Sequence, residues 1–150
     1  MNHSKKLQFK EGLKSIAKEI KAAKISYRSA MRTNGDFWGN QVKCAQLRTE
    51  FRHKHLAYCM LRGTPREKVE SNPSTGNPVN ERMLLEYLSY FQGLLDGKTD
   101  EEAHELSQKA VWNCVANDCS AKAVVKAQNK ILPPVGVLTK IRNALKSLFA

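Results

Sequence analysis

The segment Lys5–Arg32, KKLQFKEGLKSIAKEIKAAKISYRSAMR, has the residue spacing of one long amphipathic helix. At about 100° per residue, apolar side chains three and four positions apart form one stripe along such a helix. Its members are Phe9, Leu13, Ile16, Ile20, Tyr27 and Met31. A second set, which we call the basic stripe, falls within a sector of roughly 120° beside it. Its members are Lys10, Lys14, Lys18, Lys21, Lys24, Arg28 and Arg32.

The basic stripe contains no acidic residue, because Glu11 and Glu19 fall outside its sector. Exposed helix faces usually mix charges, since opposite charges one turn apart stabilise a helix and like charges oppose it. A run of cations can still be an ordinary solvated face. An anionic partner would relieve the repulsion, so the basic stripe is our first candidate binding surface.

A second helix is predicted over about Phe37–Arg62, after a turn at Asn34-Gly35. It is apolar on two faces, which is typical of a helix packed between neighbours. Arg48 and Arg52 lie on its remaining surface, where they would extend the basic stripe.

The rest of the sequence predicts further helices with clear boundaries. Gly63 can end the second helix in a left-handed cap, and Pro65 can open a short third helix. Asn77 can cap a further helix with Pro78 in its first turn. Helices are also expected after Thr99, over about 119–132 and over 135–149, while no stretch alternates with the period of a strand. We therefore expect one all-α domain over 1–150, a compact bundle of six to seven helices. It would comprise a long basic N-terminal helix hairpin (5–62), an acidic middle (65–117) and basic C-terminal helices (119–149).

Charge is distributed unevenly along the 150 residues, whose formal net charge is +11. Residues 1–66 carry +11, residues 67–118 carry −6 and residues 119–150 carry +6. Basic blocks attract phosphate groups and also suit acidic protein surfaces. Nucleic acid, a host nucleoprotein complex or an acidic protein are accordingly the expected partners.

Aromatic residues give a weaker indication of nucleic acid. Tyr27 lies at the border of the basic stripe, and Phe37 and Trp38 follow the turn between the two basic helices. Bases stack on such side chains in single-strand binding proteins, although Phe37 and Trp38 could equally pack the hairpin. Trp112 and the cluster around Phe91 are expected in the core.

No sequence motif indicates catalysis or a cofactor. The chain lacks a phosphate-binding glycine loop and a Gly-x-Ser-x-Gly turn, so we expect a non-enzymatic protein without a cofactor. His55 and Cys59 are spaced as a zinc-ligand pair, but Cys44 would lie about 16 Å along the helix from His55. No metal site is therefore predicted, unless the fold brings another cysteine to this pair.

Cellular location is predicted from absences in the sequence. No apolar run reaches the ~18 residues of a membrane span, and no signal peptide precedes the basic N-terminus. We expect a cytoplasmic protein with no membrane partner. The amphipathic C-terminus or the leucine-rich segment Met83–Leu95 could form a homodimer.

Two loose resemblances involve the middle of the chain. The series HLAYCMLRGTPREKVE followed by VNERMLLEYLSYF resembles a helix-turn-helix, although Glu81 and Glu86 stand where that family presents base-reading side chains. The series FRH, HLAYC and MLRG within Phe51–Glu70 resembles small accessory proteins of phages and mobile elements. The latter resemblance assigns no activity. We expect a nucleic-acid-binding accessory protein of that kind or, alternatively, an inhibitor of a host defence complex, as anti-CRISPR proteins are.

Overall fold

A computed structural model describes residues 3–32, 37–70, 79–117 and 120–132, without the side chains of 37–40 and 117. These ranges contain six α-helices and no strand, which confirms the all-α prediction. They are α1 (His3–Arg32), α2 (Phe37–Leu61), α3 (Arg66–Glu70), α4 (Glu81–Leu95), α5 (Asp100–Asn117) and α6 (Ala121–Ile131). The predicted turn at 34–35 and the predicted helix at 135–149 lie outside the described residues.

The centre of the bundle is α4. Its Leu84, Leu85, Leu88 and Phe91 are fully buried, and it packs against α1, α2, α5 and α6. A helix surrounded in this way must be apolar around most of its circumference. The other helices are arranged by the faces of α4 that they cover.

Both ends of α4 are capped. The helix begins at Glu81 with Asn80 as its cap, and Asn77, the predicted cap, lies outside the described residues. At the start, Asn80 Oδ1 accepts a hydrogen bond of 3.1 Å from the backbone N–H of Met83. At the end, Gly97 has φ 83°, and the N–H of Lys98 donates to the carbonyl of Gly93 at 2.9 Å. Gly63 ends α2 in the same way with φ 89°, as predicted.

The long helix α1 approaches α4 closely at Gly12. A Cβ atom at this position would lie 2.8 Å from the carbonyl oxygen of Leu94, so no larger residue fits without a backbone shift. One turn away, Gln8 Nε2 donates to the carbonyl of Asp96 at 2.9 Å. These contacts fix the N-terminal part of α1 against the C-terminal end of α4.

A polar junction joins α3, α4 and α6. The guanidinium of Arg66 donates to Glu81 Oε2 at 3.0 Å, and Gln128 Nε2 donates to the same oxygen at 2.8 Å. These two donors lower the pKa of Glu81 against the opposing effect of its burial. The carboxylate therefore stays ionised where three helices meet.

Beside this junction, the buried His53 of α2 bonds through both ring nitrogens. Its Nδ1 lies 2.7 Å from the carbonyl of Thr49, and its Nε2 lies 2.8 Å from the backbone N–H of Asn80. Since a backbone N–H can only donate, Nε2 is the acceptor and the ring is neutral. This bond ties α2 to the residue that caps α4.

Two side-chain expectations were wrong. Met31 is 58% exposed, and Ala30 takes the buried position next to it in α1. Trp112 is 69% exposed on α5, whereas Tyr90, in the cluster around Phe91, is only 3% exposed. We expected Met31 and Trp112 to be buried because they are large and apolar. Which face of a helix is covered depends instead on how the helix is rotated relative to α4.

We expect Gly12→Ala to lower the free energy of unfolding by about 1–3 kcal/mol, because the added methyl group meets α4 backbone rather than a movable side chain. Chemical denaturation measures this change. Ser15→Ala, on the exposed side of α1, is the matched control and should change stability by less than about 0.5 kcal/mol. Equal stability of the two variants would contradict the close approach.

Acid should destabilise the fold through His53. Burial, opposed by the Thr49 bond, lowers the pKa of His53 below its usual value of about 6.5. The unfolded chain then binds more protons than the folded one, so the free energy of unfolding falls as pH drops below about 6.5.

The pKa of His55 is lowered as well, so the measurement uses a His55→Gln background. There, adding His53→Gln should flatten the dependence of unfolding free energy on pH between neutral and mildly acidic conditions. If the free energy of unfolding depends on pH as steeply without His53 as with it, His53 is not the group that destabilises the fold in acid.

Candidate anion-binding face

The basic stripe lies on the side of α1 that faces away from the bundle. Lys14, Lys18, Lys21, Lys24, Arg28 and Arg32 are exposed, and Lys10 is half-buried. The opposite face of α1 is buried through Leu13, Ile16, Ala23 and Ala30. From Lys10 to Arg32 the stripe is about 33 Å long, close to one turn of B-form DNA.

Acidic neighbours neutralise little of this charge. Lys14 Nζ pairs with Glu11 at 3.4 Å, but both side chains are largely exposed, so the pair contributes little. In the described residues, the other six cations of the stripe form no ion pair. The field of the stripe therefore extends into solvent.

The second acid of α1, Glu19, points toward the bundle. Its Oε1 accepts a hydrogen bond of 3.3 Å from the hydroxyl of Tyr90, and its Oε2 lies 3.9 Å from Lys54 Nζ. The Tyr90 hydroxyl also donates to Asp100. Burial and this carboxylate raise the pKa of Tyr90, which remains protonated and able to donate. Glu19 is thus used inside the fold and leaves the basic stripe uncompensated.

Arg48 and Arg52 are both half-buried on α2, and Arg48 lies at the edge of this face rather than on it. Arg48 lines a cavity of about 260 Å³ together with Tyr27 and Met31 of α1. Its Nε is buried and has no hydrogen-bond partner in the described part of the chain. An oxygen acceptor entering this cavity would satisfy that N–H.

His55 and Phe51 also lie at the border of the basic stripe. The sequence did not predict these two residues as part of the binding surface. Their rings stack with centroids 6.0 Å apart on α2. Burial lowers the pKa of His55, and the nearby ammonium of Lys24 lowers it further. The i,i+4 spacing of Phe51 and His55 was visible in the sequence, but their closeness to Lys24 depends on how α1 and α2 pack.

Two apolar side chains lie in the sector of the basic stripe, and the sequence analysis did not include them. Ile25 is 58% exposed and Leu7 is 47% exposed. Both fall within the same roughly 120° sector, as counting 100° per residue could have shown. Ile25 lines a shallow cavity of about 500 Å³ with Arg28 and Arg32. The face therefore combines charge with small apolar contact areas.

The cysteines and histidines do not converge on a metal centre within the described residues, where no group of three or more His, Cys, Asp or Glu could hold an ion. His55 Nε2 and Cys59 Sγ do lie 3.6 Å apart, as their spacing predicts. Burial raises the pKa of Cys59, which disfavours the thiolate that binds metals or attacks substrates. Cys119 lies outside the described residues.

In the part of the chain that the structure describes, none of the helices is both long and apolar enough to cross a lipid bilayer. Comparison with protein-family models, curated proteins and solved structures finds no match. The fold and the site therefore define the molecule only as an all-α protein with a cationic helical face.

Neutralising part of the basic stripe should leave the fold intact. The test variant replaces four exposed cations of the stripe with glutamine: Lys14, Lys18, Lys21 and Arg28. It should be at least as stable as wild type at low salt, because it removes like-charge contacts that each cost about 0.2–0.5 kcal/mol. Thermal unfolding at low and high salt measures this, and the difference should shrink as salt rises. A variant less stable at both salt concentrations would show that these side chains support the fold.

Proposed function

We propose that this protein is a non-enzymatic binding protein that holds the phosphate backbone of nucleic acid along the basic stripe. The observation that carries the proposal is a row of cations about 33 Å long, exposed except at Lys10, in which only Lys14 has an acidic partner among the described residues. Phosphates of a nucleic acid would replace the counterions that such a row attracts. Resemblance to phage and mobile-element accessory proteins is compatible with this role but does not specify it.

Binding of this kind positions the partner without reading bases. Lysine ammonium groups contact phosphate as point charges, and Arg28 and Arg32 can add bidentate contacts. Arg48, with its unpartnered Nε, and Arg52 would contact a strand that lies toward α2. Tyr27, Phe51 and His55 offer ring surfaces beside the cations, which favours a single strand whose bases are accessible.

The test compares wild type, the four-residue glutamine variant and a control with an equal loss of charge. The control replaces exposed cations outside the stripe: Lys68, Arg82, Lys98 and Lys109. Binding of labelled single-stranded DNA, double-stranded DNA and RNA is measured over a salt series. Wild type should bind with a steeply negative log–log slope, and the stripe variant should lose about 3–4 units of that slope on duplex DNA if each cation contacts a phosphate.

The control variant should keep most of the affinity, because its cations lie away from the stripe. An equal loss in both variants would mean that net charge, rather than the stripe, governs binding. Absence of binding by wild type at low salt would overturn the proposal altogether.

A second candidate function is inhibition of a host defence complex through an acidic protein surface. Exposed Ile25 and Leu7 within the cationic sector favour it, since protein interfaces surround apolar contacts with charged groups. Ile25→Ser separates the two candidates. It should hardly change affinity for nucleic acid, whereas it should weaken docking on a protein surface strongly.

A further inference from the structure

A groove on the side of the bundle formed by the last described helices is independent of the basic stripe. It has a volume of about 850 Å³ and lies between α5 and α6, with α4 as its floor. Both walls pack on α4 and contact each other much less. The floor from Leu85 to Asp96 is about 16 Å long, or three turns of a helix.

The lining of this groove is mainly apolar and largely small. Leu85 and Gly93 form part of the floor, Leu106 and Ala110 line the α5 wall, and Ala127 lines the α6 wall. Small side chains let another backbone approach closely. Leu106 is 44% exposed, so it retains apolar surface for an additional contact.

One wall of the groove is cationic along its whole length. Lys122, Lys126 and Lys130 follow one another at intervals of one turn along α6, and all three are exposed. They form no ion pair among the described residues. The row extends about 12 Å, so a compact anion would reach only part of it. An elongated occupant with acidic groups one turn apart would reach all three.

The floor holds a polar atom without a partner. Ser89 is 8% exposed, and its Oγ has no hydrogen-bond partner in the described residues. Buried hydroxyl groups are normally bonded, so this one indicates a missing donor or acceptor at the groove.

We propose that this groove binds an amphipathic helix from a partner protein, one with leucine-like side chains on its inner face and carboxylates along the edge that meets α6. The small apolar floor would receive the inner face, as in other helix-in-groove complexes. The lysine row fixes the orientation, since the α5 wall opposite presents uncharged residues such as Ala110 and Asn113. Residues 133–150 carry three basic and no acidic side chains, so their charge makes them a poor occupant of the same site.

The test uses a labelled designed peptide of about 16 residues, or roughly four turns, with leucines along one face and glutamates along one edge. A matched peptide carries lysine in place of each glutamate. Fluorescence anisotropy should show the acidic peptide binding about ten-fold more tightly, the factor expected for three exposed ion pairs. The triple variant Lys122→Glu, Lys126→Glu and Lys130→Glu should reverse this preference.

A variant of the basic stripe controls for nonspecific attraction of the acidic peptide. Lys14→Glu, Lys18→Glu and Lys21→Glu change the net charge equally but lie on α1, so this variant should retain the preference for the acidic peptide. If this variant loses its preference for the acidic peptide as fully as the groove variant does, the proposal is overturned. Circular dichroism and thermal unfolding establish that both variants are folded.

Cys114 provides a local readout, because this free, half-buried thiol lines the groove. The acidic peptide should slow alkylation of Cys114 and leave Cys44, a free thiol on α2, unaffected. No binding of the acidic peptide, or binding without protection of Cys114, would overturn the proposal. If Cys114 already resists alkylation before any peptide is added, the proposal is also overturned. The groove would then be filled by this chain or by a second copy of it.

Discussion

Burial of α4 on nearly all sides is the constraint on which the rest of this structure depends. The fully buried leucines and Phe91 of α4 require cover from four helices, and each of these helices uses a different strip of the same short segment. Apolar burial of this kind is the main stabilising contribution to a folded domain. The positions of the basic stripe on one side and the groove on the other are consequences of how α1, α5 and α6 pack on this helix.

The same packing explains why the surface of α1 is so strongly cationic. Contact at Gly12 holds one face of α1 on α4, and the Tyr90 hydroxyl of α4 donates a hydrogen bond to Glu19 from that side. The acid that could have compensated the lysines is therefore committed to the interior. What remains outside is a row of cations on a helical backbone, which loses less backbone freedom on binding an extended anion than a flexible basic tail would.

Much of the fold could be predicted because the signals were local. Helix ends at Gly63 and Gly97 and the phase of the basic stripe depend on neighbouring residues alone. Errors arose where partners distant in sequence decide the outcome. Trp112 is exposed because no described helix covers its side of α5, and His55 lies beside the stripe only through the packing of α1 on α2.

The central claim is that the basic stripe is the surface on which an extended anion binds. Backbone amide NMR shifts, recorded during titration with a single-stranded oligonucleotide at moderate salt, test it most directly, because they report position as well as affinity. The account predicts shifts concentrated in α1 from Lys14 to Arg32 and in α2 around Arg48 to His55, with α5 unaffected. Shifts centred on α6, or spread evenly over every basic surface, would contradict it.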